Sequence, residues 1–211
     1  MNFLSKIPGP FLVFLGACAL SFGGLIVKSF DGSTLWQILF WRSLFFIGVI
    51  TIFLIFTYKG KIFSALYKSG IPGLFGGIIL SIGFASYVFA MYETTVANAN
   101  FIIQTQALFL AIFGYVFLKE KISKITLTCI AVVGIILMLG SSITPGQMTG
   151  NLVAFIMPIS FAILILIVRK YPKVDMIPLQ LVAGIFATLI GLFMSPSIFA
   201  VSYTHLRAHE T

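Results

Sequence analysis

Ionised side chains are scarce in this chain: 9 % of its 211 residues are charged, five of them acids, while 60 % are hydrophobic. A single water-exposed surface needs far more polar side chains, so a soluble domain is excluded. Cysteine is nearly absent; Cys18 and Cys129 both lie inside apolar segments, with neither disulfide nor metal-ligand spacing. Histidine occurs only at His205 and His209, in the tail. Two histidines four apart can share a helix face beside Glu210, but no third ligand is placed with them, so a metal reading is dropped. No nucleophile and base pair, carboxylate dyad or glycine-rich phosphate loop is present. These absences point away from an enzyme, a metal and a cofactor.

What the chain has is long apolar runs. Seven spans can be drawn, at residues 10–27, 35–57, 71–91, 97–118, 125–142, 152–168 and 177–195, each near the length that crosses a hydrocarbon core. The expected fold is all-α and polytopic, with about seven transmembrane helices and an uncleaved first helix. The net charge of +8 comes from cations in short loops rather than from one basic face, which speaks for topogenesis and against nucleic acid. Alternating the loops between sides puts Lys6, Lys59, Lys61, Lys68, Lys119, Lys121, Lys124, Arg169, Lys170 and Lys173 together, with Lys28 opposite. The positive-inside rule makes the crowded side cytoplasmic and the N-terminus internal.

Residues 97–140 hold two apolar segments joined by a basic clasp, Lys119-Glu120-Lys121-Ile122-Ser123, and read as a membrane hairpin. The first arm carries Ala97, Asn100, Gln104, Ala107, Ala111 and Gly114 at steps of three and four, a face of small and amide residues expected to look inward. Gly73, Gly77 and Ser81 make a second small stripe, and Gly16, Gly23 and Gly24 a third; helix packing is the first reading of both, with a central cavity where such stripes meet. Arg42, set between Trp41 and Ser43, is the one charge well inside a span, about seven residues and roughly 10 Å from its outer end. A cation at that depth is a functional candidate, with snorkelling to the interface as the plain alternative. Ser21, Trp41, Tyr87, Asn100 and Gln104 would supply the remaining polar contacts of a substrate cavity. Glu93, at the outer end of the third span, is a candidate charge-pair or proton site, able to meet Arg42 or Lys28, with a solvated turn residue as the alternative.

The small and polar helix, the run Gly114-Tyr-Val-Phe-Leu-Lys-Glu-Lys-Ile-Ser123 and the helix ending Gly134-Ile-Ile-Leu-Met-Leu-Gly140 together resemble the close of an EamA repeat of the drug/metabolite transporter superfamily. An arginine early in the second helix is also similar to that family. Where many members carry proline near the position of Ala107, this chain has Gln106-Ala107, so the resemblance does not carry a helix break to this point. It implies two five-helix repeats: residues 1–142 as the first, a linker at 143–150, and residues 151–200 as the first two helices of an inverted second. The matched ends Leu25-Ile-Val-Lys28 and Leu166-Ile-Val-Arg169, an odd number of spans apart, agree with an inverted copy. The last ten residues, SYTHLRAHET, share nothing with what precedes them, and residues 201–211 are expected to be a non-native tail on a truncated chain.

By resemblance, then, the protein is expected to export a small organic metabolite or drug-like solute by alternating access, with proton coupling left open. The expected setting is the lipid bilayer of a bacterial-type inner membrane, and a homodimer is left open. A non-transporting scaffold or regulatory subunit is the rival reading, and an integral-membrane enzyme the weaker one. The topology predicts that cysteines introduced at residues 59–68, 119–124 and 169–173, on a Cys18→Ala, Cys129→Ala background, resist an impermeant thiol reagent in intact cells. Ready external labelling of Lys121→Cys contradicts it.

Overall fold

The computed structural model describes residues 33–119 and 148–195, with residues 8–11, 14, 18, 27, 125, 128 and 132 as short or isolated positions. Every described element is a helix: α1 (Leu35–Tyr58), α2 (Ile62–Glu93), α3 (Val96–Gln104), α4 (Gln106–Leu118), α5 (Met148–Ala154), α6 (Ile156–Lys170) and α7 (Leu179–Met194). Among the described residues four stretches are long and apolar enough to cross a membrane, namely Leu35–Tyr58, Ile62–Glu93, Val96–Leu118 and Met148–Lys170, and Leu179–Met194 is a shorter apolar helix. These correspond to the second, third, fourth, sixth and seventh expected spans. The first and fifth, with Cys129 and the 201–211 tail, lie almost wholly outside the described residues.

Local chemistry sets the helix ends. Thr34 and Gln37 form a reciprocal capping box at the start of α1, the Thr34 N–H donating to Gln37 Oε1 at 2.9 Å and the Gln37 N–H to Thr34 Oγ1 at 3.4 Å. Lys59 (φ 50°) and Gly60 (φ 82°) then turn left-handed and stop it. Thr95 caps α3 by accepting the Asn98 N–H at 3.1 Å.

Three long helical stretches are interrupted. In α2, Gly70 sits at φ 56°, ψ −156°, a conformation open to glycine alone, and Pro72 just beyond it lacks the N–H a continuous helix would need. The expected third span is the part of α2 beyond this kink. Between α3 and α4 the break falls at Thr105, whose hydroxyl donates to the Ile102 carbonyl at 2.6 Å and competes with the helix ladder. No proline is needed there. Between α5 and α6 it falls at Phe155, where Pro158 cannot donate to the Ala154 carbonyl.

α2 is the central element, packed against α1, α5, α6 and α7, while α7 lies between α1 and α2, and α4 lies along α6. Glycines bring these helices close. A Cβ on Gly77 would meet Val182 at 2.6 Å, one on Gly184 would meet Ile47 at 2.8 Å, and one on Gly191 would meet the Phe40 backbone nitrogen at 2.8 Å. The small stripe of α2 is thus used in packing, as small-residue faces in lipid generally are. One cluster gathers Leu39, Val88, Met91, Ile102 and Ala187, and a second Leu80, Leu164, Leu179 and Ala183.

The two ends of the bundle are chemically different. At one end Tyr58, Ser69 and Asp175 meet, which brings Lys59, Lys61, Lys68, Arg169, Lys170 and Lys173 to that side. At the other, Thr94 Oγ1 donates to Asn151 Oδ1 at 2.7 Å.

The packing predicts that Gly191→Ala lowers the thermal stability of the detergent-solubilised protein by about 1–3 kcal/mol, since overpacking against a fixed backbone costs that much. Gly48→Ala, where a Cβ meets nothing within 4 Å, leaves stability unchanged or raised.

Candidate functional site

Arg42 lies in the third turn of α1, on the side facing α2. Its guanidinium carbon stands 4.8 Å from the centroid of the Tyr87 ring and 5.7 Å from that of Phe84. Tyr87 is 7 % exposed and Arg42 half-buried, so the cation sits on the inward side of α1 with its cradle inside the bundle. Phe84 and Tyr87 are three apart on α2 and share one face. Phe46, one turn below Arg42 on α1, meets Phe84 edge-on at 5.3 Å, 80°. The group is an aromatic cradle holding one cation, with buried Ser43 beside it on α1 and buried Ser86 on α2.

Its electrostatics follow from magnitudes. A guanidinium deep in a membrane helix costs about 2.5–3.5 kcal/mol on insertion scales. A desolvated aromatic face returns up to about 2 kcal/mol, and less near the 6 Å limit, where Phe84 stands. Among the described residues no carboxylate lies within ion-pairing reach of the guanidinium.

Of the residues singled out from sequence, the structure brings Arg42 and Tyr87 together. Trp41 is 40 % exposed, with its ring against Phe40 and Phe45. Asn100 and Gln104 are exposed on α3, and so is most of the small and amide stripe, only Gly114 being buried. The face α3 turns toward its neighbours instead carries Asn98, Ala99 and Ile102, because Ala99 and Ile102 complete the cluster around Val88 and Met91. Glu93 is exposed and packs its Cβ beside Gly150, away from Arg42. Ser21 and Lys28 lie outside the described residues.

Two features escaped the sequence reading. Phe84 was one phenylalanine among 23 and signalled itself only by its spacing from Tyr87. The second is a polar latch at the cation-rich end. The Tyr58 hydroxyl donates to the Asp175 carboxylate, Ser69 Oγ donates to the Asp175 carbonyl at 2.7 Å, and the Ile177 N–H donates to Asp175 Oδ1 at 3.0 Å. It ties the end of α1, the kink of α2 and the α6–α7 loop together. Beside it, an open groove of about 790 Å³ runs between the kink and α7, lined by Phe63, Tyr67, Gly70, Leu74 and Val182. Among the described residues no three His, Cys, Asp or Glu side chains group as metal ligands.

The fold and this cradle are those of a polytopic helical membrane protein with a charged group set inside its bundle. A sequence model of the EamA-like transporter family matches residues 7–143, more than half of the chain, and the protein belongs to that family. It is thereby a membrane transporter of the drug/metabolite type rather than a member of an enzyme family. Comparison with curated proteins and with solved structures returned no match.

The latch predicts that Tyr58→Cys with Asp175→Cys, and Thr94→Cys with Asn151→Cys, are each joined by a short bifunctional thiol reagent in native membranes. Tyr58→Cys with Asn151→Cys, at opposite ends, is not. Equal yields for all three pairs contradict the arrangement.

Proposed function

We propose that the protein exports a small organic metabolite or drug-like solute across a bacterial-type cytoplasmic membrane by alternating access, with the Arg42–Tyr87 cradle as the centre of its solute site. The observation that carries this reading is a guanidinium inside a helix bundle, resting on aromatic faces with no acid paired to it among the described residues. A charge kept at such depth for packing alone would be a net cost. Family membership supplies the transport class.

In this reading the chain has seven spans with its N-terminus in the cytoplasm. Residues 1–142 form one five-helix repeat, 143–150 a linker and 151–200 the start of an inverted second repeat. Ser21, Trp41, Asn100 and Gln104 contribute contacts in conformations where the halves have moved, and Glu93 is a charge-pair or proton site at the outer end. A homodimer is compatible with it. The rival reading, a scaffold whose small stripes serve oligomerisation, is weakened because the α2 stripe is taken up inside the chain against α6 and α7.

Arg42→Ala is expected to reduce solute export by at least tenfold in vesicles while leaving membrane abundance unchanged, since removing an intramembrane charge relieves an insertion cost. Export at the parent rate contradicts the assignment.

A further inference from the structure

The charge inventory of the whole chain narrows the solute. The five acids are Asp31, Glu93, Glu120, Asp175 and Glu210, and none falls within any of the seven apolar segments. Glu93 lies six residues beyond Tyr87, about 9 Å further along α2. Asp175 is engaged at the cation-rich end by Tyr58 and Ile177. Among the described residues no carboxylate therefore stands at the depth of Arg42.

The aromatic cradle answers only half of what the guanidinium requires. Ring faces attract its charge, but the group also carries five N–H donors in a planar fork, and a buried donor left unmatched costs about 1–3 kcal/mol. Tyr87 and Phe84 offer faces, not oxygen acceptors, to that fork. A carboxylate or other oxyanion matches it bidentately. A cationic solute brought close to the guanidinium in a low-dielectric bundle is repelled, and a neutral one leaves the charge uncompensated.

We infer that the solute carried at this site is an organic anion, its anionic oxygens on the Arg42 fork and its apolar part along Phe84 and Tyr87. The inference rests on the transport reading above and adds the charge and shape of the cargo. A lipid headgroup phosphate could supply the same oxygens, since exposed Trp41 and Phe45 on α1 face outward beside the site, and the test separates the two sources.

The full chain is purified in maltoside micelles free of lipid phosphate and titrated with 3-phenylpropionate, with the matched amine 3-phenylpropylamine and with the neutral 3-phenylpropanol. Binding is read by thermal shift and by fluorescence of the only two tryptophans, Trp36 and Trp41. The acid is expected to bind saturably, at least tenfold more tightly than the amine or the alcohol. Arg42→Gln weakens the acid at least tenfold, and Arg42→Lys weakens it less. Adding phosphatidylglycerol leaves acid binding in place. The inference is overturned if the amine binds as well as the acid, if Arg42→Gln binds the acid like the parent, if the acid gives no saturable response, or if only the lipid does. Counterflow in proteoliposomes keeps the two readings apart. Acid bound but not moved contradicts transport and leaves the anion site, whereas amine moved by parent and Arg42→Gln alike contradicts the anion site and leaves transport.

Discussion

The closeness of α7 to α1 and α2 governs how the rest of the bundle is oriented. In lipid there is no hydrophobic drive between helices, so association depends on backbones approaching through small residues. Gly191 lies against the Phe40 backbone and Gly184 against Phe46 and Ile47, so α7 grips α1 about half a turn before Arg42 and just over one turn after it. That grip sets the rotation of α1 about its own axis. With Phe40 and Ile47 turned toward α7, Arg42 is turned toward α2, where Phe84 and Tyr87 receive it. The glycines of α2 act in the same way on the other side, Gly77 against Val182 and Gly83 against Ser160. A cation inside the membrane is thus held in place by groups that never touch it.

The interruptions at Gly70, Thr105 and Phe155 share a physical logic. Each frees backbone groups that a straight helix would satisfy, and such groups need a partner elsewhere in the protein or in water. At Gly70 the neighbouring Ser69 hydroxyl reaches across to the Asp175 carbonyl, so the kink is tied to the α6–α7 loop. At Thr105 the side chain answers the Ile102 carbonyl locally. The kink is therefore coupled to a distant part of the chain, while the Thr105 break is self-contained.

Much of the architecture was legible in the sequence, because apolar length and loop charge are strong, local signals. The spans that became α1, the far part of α2, α3–α4, α5–α6 and α7 could be drawn from hydrophobic runs, and the gathering of lysines from alternating loops. Arg42 stood out by depth alone, and Tyr87 by being a polar aromatic near a helix end. What failed was rotation. The stripe from Ala97 to Gly114 looked inward by composition, yet Asn98, Ala99 and Ile102 are what α3 turns to its neighbours. In a helix apolar almost all round, periodicity says little about which face meets which partner. The break at Thr105 was hidden because threonine, unlike proline, interrupts a helix only when its hydroxyl finds a carbonyl. The Tyr58–Asp175 contact spans 117 positions and has no local signature.

The claim on which the functional account turns is that the Arg42 cation rests on the Tyr87 ring inside the bundle. A double-mutant cycle measures that contact directly, using Arg42→Gln and Tyr87→Leu singly and together, with unfolding free energy in detergent as the readout. The account predicts a coupling of about 1–2 kcal/mol, the range of a desolvated cation–π pair, which persists when Tyr87→Phe replaces the parent residue because the ring is kept. Strictly additive effects, with no coupling in either background, would contradict it.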